Sequence, residues 1–272
     1  MSHGYVPVQW TPSKVVYDRL LWLGIGLYLA LFISISMLSH SGSEALSPMI
    51  ILIRAFATCA FVMLTLILCI GPLARLDSRF LPLLYNRRHF GVSMFLVALV
   101  HAILVIIFYH SFGVENPLVS IFTSPGSYQS ISDFPFQPFG ALALLILLLM
   151  AATSHDYWNA NLTAPFWKAL HMGVYLAYTL LIVHVASGAM LQAETGLLAI
   201  MVYTSVVLVG GLHVAAAVKS RRADKTTNPA IWVDVGAWRE IPDNAAITVT
   251  VGDDERIAIF RYDGTKLAAI SN

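Results

Sequence analysis

The chain has 272 residues, of which 58% are hydrophobic and only 11% are charged. This composition is far too apolar for an ordinary soluble domain, so it predicts an integral membrane protein. The formal net charge is +1, which gives no reason to expect a nucleic-acid partner or an acidic substrate. Two cysteines, Cys59 and Cys69, share one apolar run without disulfide or metal-ligand spacing, so we interpret them as small buried hydrophobes.

Six apolar segments approach the roughly 20 residues that a helix needs to cross about 30 Å of hydrocarbon. They predict an all-α membrane protein, a six-transmembrane-helix bundle, with spans near residues 15–38, 49–70, 89–110, 138–153, 166–188 and 195–218. The first run is too long for the apolar core of a signal peptide and lacks a cleavage site, so we expect a retained helix. The fourth is the shortest, and its start is open because it extends equally well back through 135–138.

The distribution of lysine and arginine predicts the orientation, because positive residues are retained on the cytoplasmic side. The loops 39–48, 111–137 and 189–194 contain neither residue. The basic residues fall in the other two loops and after the sixth segment: Arg75, Arg79, Arg87, Arg88, Lys168, Lys219, Arg221, Arg222 and Lys225. Both termini are therefore expected in the cytoplasm, and the chain is expected to be a multi-pass protein of the cell inner membrane.

Composition changes after Arg222, where the six-helix domain 1–222 ends and a linker 223–229 follows. Residues 230–272 are polar, with alternating apolar residues on either side of the turn-like 252–254 and a second turn at Asp263-Gly264. This pattern predicts a partial all-β segment of about four strands. So short a segment cannot form a core of its own, so we expect the chain to be truncated inside a domain.

Ionisable side chains inside the hydrocarbon are the first candidates for function, because burying a charged group there costs about 2.5 to 3.5 kcal/mol on insertion scales. They are His101, His171, His184, His213 and Arg54. Neutral imidazole is a usual axial ligand of haem iron, and a helix bundle offers an interior site for such a cofactor. His171 and His184 are 13 residues apart, about 20 Å along a helix, which suits two stacked sites. Their rings would point about 140° apart, so either the helix is locally rewound or the two face different cavities.

The alternative interpretation is that these histidines only form hydrogen bonds between helices. We assign His213 and His110 to packing and expect Arg54 to extend its guanidinium to the interface. Four further histidines lie in loops or exposed segments: His3, His40, His89 and His155. Depth along the helices does not decide whether His101 pairs with His171 or with His184.

Several motifs resemble the ferric-reductase-like transmembrane cytochrome b family. They are residues 71–75 (GPLAR), residues 87–91 (RRHFG) followed by His101, and residues 167–171 (WKALH) followed by Tyr175 and His184. The resemblance covers roughly 15–218 and is strongest to the haem-binding membrane subunits of methionine sulfoxide reductase systems. More distantly, it extends to NADPH oxidases and ferric reductases.

The resemblance implies that His101, His171 and His184 are the axial ligands of haem b iron. The oxidases carry a further histidine 14 residues after the first, but Glu115 occupies that position here. One haem is therefore expected, and a second would need an additional or shared ligand. Arg87 and Arg88 either neutralise haem propionates or act as topology signals, and the second interpretation is favoured.

Residues 232–235 (WVDV), 240–243 (EIPD) and 256–264 (RIAIFRYDG) resemble the first strands of a Rieske [2Fe-2S] ferredoxin-like domain. That family binds its cluster through two cysteines and two histidines. None of these ligands is present in 230–272, so a [2Fe-2S] cluster is expected only in a longer form.

The function implied is a membrane cytochrome b that receives electrons from a cytoplasmic donor, coupled to a Rieske iron-sulfur module in the full-length protein. One alternative is a redox subunit that supplies a periplasmic partner reductase by way of the outer loop 111–137. Another is a haem-free membrane scaffold or transporter. No flavin or nicotinamide fingerprint is present, so direct NAD(P)H oxidation by this chain is not expected.

Overall fold

The computed structural model describes residues 11–40, 45–123, 135–192, 196–226, 233–251 and 255–271. The chain divides into two compact units, Met1–Lys219 and Ser220–Asn272. The helices in chain order are α1 Pro12–Ser39, α2 Pro48–Leu76, α3 Leu81–Tyr85, α4 Arg87–Val105, α5 Pro117–Ser120, α6 Gln137–Ala152, α7 Asp156–Asn161, α8 Ala164–Ser187, α9 Ala189–Gln192 and α10 Leu197–Thr226. A five-residue π turn, Ile106–His110, continues α4.

Five helices among the described residues are long and apolar enough to cross a membrane: Pro12–Ser39, Pro48–Leu76, Arg87–His110, Pro165–Leu191 and Leu197–Arg222. These confirm the positions of five predicted spans. The predicted fourth span forms α6, which is apolar but has only 16 residues, about 24 Å of helix. The count of six spans therefore stays a prediction.

Prolines explain where several of these helices begin. Pro12, Pro48, Pro138 and Pro165 each occupy the first turn of a helix, where the missing N–H removes no intrahelical bond. With Pro138 in its first turn, α6 begins at Gln137, so it includes residues 137–138 of the open stretch and not 135–136. The structure thus decides the boundary that the sequence leaves open.

The core of the bundle is built around α2, which has the most buried side chains among the described residues. Leu64 at 1% exposure is its largest fully buried side chain, and Cys59 and Cys69 are buried and free, as predicted. By contrast, α1 exposes a row of leucines at helical spacing, Leu20, Leu23, Leu27 and Leu31. Such a surface is stable against lipid and not against water.

A buried chain of hydroxyl groups joins α2, α8 and α10. The Thr65 hydroxyl donates to the carbonyl oxygen of Phe61 at 2.8 Å, and its oxygen lies 2.7 Å from the Ser205 hydroxyl. Tyr178 Oη lies 2.5 Å from Ser205 Oγ. Since Thr65 already donates to a carbonyl, Ser205 donates to Thr65 and Tyr178 donates to Ser205.

Several contacts define one end of the bundle, which we name the basic end. Lys219 Nζ donates to the carbonyl oxygens of Arg75 and Leu76 at 3.2 and 2.8 Å, so α2 ends beside the Lys219 turn of α10. His89 Nδ1 lies 3.1 Å from a carboxylate oxygen of Asp18, so α1 and α4 begin together. The basic end therefore contains both the arginines after α2 and the start of α4.

The second unit contains a three-stranded antiparallel sheet in the order β1-β2-β3, with β1 Ala245–Val251, β2 Glu255–Tyr262 and β3 Lys266–Ser271. Strands β1 and β2 pair in the predicted antiparallel way, although the 252–254 turn lies outside the described residues. The predicted turn at Asp263-Gly264 is confirmed: both residues have positive φ (50° and 76°) and lie in the three-residue loop between the paired Tyr262 and Lys266. Three strands are described where about four are predicted.

Candidate functional site

His101 projects from α4 toward the beginning of α2. Its Nδ1–H donates to the carbonyl oxygen of Ile53 at 3.1 Å. A carbonyl can only accept, so the proton sits on Nδ1 and the Nε2 lone pair is available. Ile53 is buried in the first turns of α2, at the end of the bundle opposite the basic end.

His184, near the end of α8, has the same arrangement. Its Nδ1–H donates to the carbonyl oxygen of Phe136 at 2.9 Å, directly before α6 begins. The Phe136 ring lies beside the imidazole, with ring centroids 5.4 Å apart. His184 is therefore held by the segment that enters α6, with Nε2 again as the remaining ring nitrogen.

His101 and His184 lie within range of an electrostatic interaction between their rings. One imidazole comes from α4 and the other from α8, and each is tied to a backbone carbonyl of a third or fourth helix. The sequence leaves the partner of His101 open, and the structure relates His101 electrostatically to His184.

His171 lies apart from this pair, 13 residues and about 20 Å earlier on α8. Its Nδ1–H donates to the carbonyl oxygen of Trp167 at 3.0 Å, and the two rings stack with centroids 3.8 Å apart. Its Nε2 is buried with no hydrogen-bond partner in the part of the chain that the structure describes. Arg87 and Arg88 at the basic end interact electrostatically with it.

Helix α8 is α-helical throughout from His171 to His184, so it is not rewound between them. Since the helix is not rewound, the second possibility holds: the His171 and His184 rings point in different directions and face different surroundings. His184 faces α6 and His101, whereas His171 faces the arginines of the basic end.

The other intramembrane candidates are arranged differently. His213 donates from Nδ1 to the carbonyl of Val209 at 2.8 Å and accepts from the Tyr175 hydroxyl at Nε2 at 2.9 Å, so both ring nitrogens are occupied. Arg54 is exposed, which agrees with a guanidinium that extends away from the core. His110 is predicted to be a packing residue, but its buried Nε2 has no hydrogen-bond partner among the described residues and is available to bind a further group.

Two features of the site have no clear sequence signal. Gly140 on α6 lies against the His184 ring, and Gly188 lies against the Phe136 ring. Neither glycine belongs to a recognisable motif, since the close contact exists only once α6 and α8 have packed together.

Each of the three imidazoles is chemically able to ligate haem iron. Within the described ranges, no three His, Cys, Asp or Glu side chains gather as a metal-binding group. A macrocycle supplies four nitrogen ligands of its own and needs only axial donors. The Nδ1–H to carbonyl bond at each histidine is the usual support for a ligating imidazole. The buried Nε2 of His171 has no hydrogen-bond partner among the described residues, so its lone pair is available to bind a metal.

Part of the chain matches a known family. Residues 55–182 match the family described as Ferric reductase like transmembrane component. This stretch is just under half of the chain, contains His101 and His171, and ends two residues before His184. It agrees with the resemblance seen in the sequence and supports a membrane electron-transfer function. No curated protein matches the chain.

Proposed function

We propose that the chain is a membrane cytochrome b in which His101 and His184 together hold one haem b. The observation that carries the proposal is the pairing of these two imidazoles, each with Nδ1–H fixed to a carbonyl oxygen. Bound haem would supply the one-electron chemistry. The chain contributes the two donors, their fixed tautomers and an apolar surrounding that excludes water, which together set the potential.

His171 is proposed as the ligand of a second haem position nearer the basic end. Glu115, at the place where the oxidases carry a fourth histidine, does not serve the pair, because its carboxylate accepts from the Thr123 hydroxyl at 2.9 Å in the loop after α4. A haem at His171 would thus be held by one histidine from the described residues. Arg87 and Arg88 offer positive charge there for carboxylate groups, besides their effect on orientation.

The basic end is proposed to face the cytoplasm, with both termini on that side of a bacterial-type inner membrane. Electrons would enter from a cytoplasmic donor, pass from the His171 region toward the His101 and His184 pair, and leave to an acceptor outside, such as a periplasmic partner reductase. A [2Fe-2S] cluster on a Rieske-like module is proposed only for a longer form, since residues 230–272 lack its ligands.

The test is a reduced-minus-oxidised spectrum and a pyridine haemochrome assay on detergent-purified protein. His101→Ala and His184→Ala should each remove the same haem, while His171→Ala should remove a different one or leave the first intact. His213→Ala is the matched control and should retain the parent haem content. A parent protein without haem under adequate haem supply would make the three histidines packing residues, and the haem-free scaffold would then be the better explanation.

A further inference from the structure

Gly140 makes the closest approach to His184 of any glycine in the described chain. A Cβ placed on Gly140 would lie 2.8 Å from both Cε1 and Nδ1 of His184 and 3.2 Å from its Cγ. Separations below about 3 Å are steric overlap for carbon and nitrogen, so a methyl group at this position would displace the ring. The imidazole is therefore packed closely against Gly140 of α6.

The second restraint on the ring comes from Phe136, one helical turn before Gly140. Its carbonyl oxygen accepts the Nδ1–H of His184 at 2.9 Å, which fixes the rotation of the ring. The Phe136 ring itself packs on Gly188, where an added Cβ would lie 2.6 Å from the nearest ring atom. One glycine on α6 and one directly after α8 thus contact the rings of His184 and Phe136.

We infer that Gly140 and Gly188 are positioning residues for His184, which hold its ring in the plane needed to act as an axial ligand. The inference rests on the proposed function. It gives α6, which contributes no histidine, a role in the site through Gly140. Gly140 sets the ring by direct contact. Gly188 sets it through Phe136, whose carbonyl is the hydrogen-bond acceptor of the imidazole.

Close helix packing is the competing explanation, because small residues also let α6 and α8 approach. Gly173 on α8 serves helix packing without contacting a histidine. A Cβ added to it would lie 3.3 Å from Ile146 Cγ2 of α6. Gly173→Ala is therefore the matched control. It perturbs the same pair of helices without touching His184 or Phe136.

The experiment compares Gly140→Ala, Gly188→Ala and Gly173→Ala in the full chain by haem titration, low-spin electron paramagnetic resonance and redox potentiometry. Altered support of a ligand typically lowers affinity by about 10- to 100-fold. Gly140→Ala and Gly188→Ala should both show such a loss, with a shifted low-spin signal and potential. Gly173→Ala should keep the parent spectrum and potential. Haem binding and spectra in Gly140→Ala that equal those of Gly173→Ala would overturn the inference.

A second measurement separates this inference from the proposed function. Deuterium exchange at the Cε1–H of each histidine, followed by mass spectrometry of haem-free protein, reports the surroundings of each ring. The rate at His184 should change in Gly140→Ala and stay at the parent value in Gly173→Ala, with His213 unchanged in both. If the parent binds no haem, the function fails, but this rate still decides whether Gly140 positions the ring. An unchanged rate at His184 would overturn the inference.

Discussion

Removing the Ser205 hydroxyl should destabilise the bundle measurably, because this group links α10 to both α2 and α8. Ser205 is 5% exposed, accepts from Tyr178 and donates to Thr65. Hydrogen bonds between membrane helices average about 0.6 kcal/mol, so the loss of two predicts about 1.2 kcal/mol. The Tyr178 hydroxyl also becomes a buried donor without an acceptor, and the expected cost of Ser205→Ala rises to about 2 kcal/mol.

Tyr178→Phe should cost less, about 0.6 kcal/mol, because Ser205 still donates to Thr65 and no buried donor is left unpaired. The double variant Ser205→Ala, Tyr178→Phe should be destabilised by less than the sum of the two single changes, since the orphaned donor is absent from it. Unfolding in mixed micelles of a mild detergent and dodecyl sulfate measures all three. Thr179→Val, which removes a hydroxyl on the exposed face of α8, is the control.

An additive double variant would refute the hydrogen bond between Tyr178 and Ser205, because additivity would mean that the two residues are not coupled. The assigned direction would be refuted if Tyr178→Phe cost more than Ser205→Ala. A Ser205→Ala variant as stable as Thr179→Val would refute the larger claim that these hydrogen bonds hold α10 to the bundle.

Three further predictions concern groups away from the paired histidines. Hydrogen bonds from Arg79 lower the pKa of Asp77 below its ordinary value. Any stability from this pair is present at pH values above the pKa of Asp77 in the unfolded chain, and it is lost as the pH falls through the pKa of Asp77 in the folded chain. Arg79→Gln should therefore raise the titration midpoint of Asp77, which NMR can follow. His213→Gln should leave haem content unchanged, as spectra can verify, because both imidazole nitrogens are already occupied. Lys219→Met should cost about 0.3 to 1 kcal/mol in micelle unfolding, since the ammonium caps the last carbonyls of α2; an unchanged midpoint would exclude that cap.

Hydropathy predicts the long helices well because the physical requirement is simple: about 20 apolar residues must cover the hydrocarbon. α2 and α8 begin within two residues of their predicted starts, where Pro48 and Pro165 occupy the first turn. α6 is harder, since 16 apolar residues satisfy either a short span or a buried helix.

The candidate site is less accessible to sequence reasoning. Residue types and spacing select His101, His171 and His184, but depth counted along ideal helices cannot pair them, because helix starts and tilts shift each count by several ångströms. The role of Gly140 cannot be predicted from the sequence for a different reason: it depends on contact with an imidazole from another helix. The direction of the Thr65 hydroxyl chain likewise exists only after three helices have met.

All three candidate ligands rest on main-chain acceptors: the carbonyls of Ile53, Phe136 and Trp167. A neutral amide carbonyl leaves the imidazole neutral and cannot withdraw its proton as a carboxylate would, so the electron-donating strength of the rings is kept moderate. Because every residue at those positions brings the same carbonyl, a substitution there preserves this hydrogen bond wherever it leaves the backbone in place. Alanine scanning would pass over this support, and exchange of the peptide bond for an ester would reveal it.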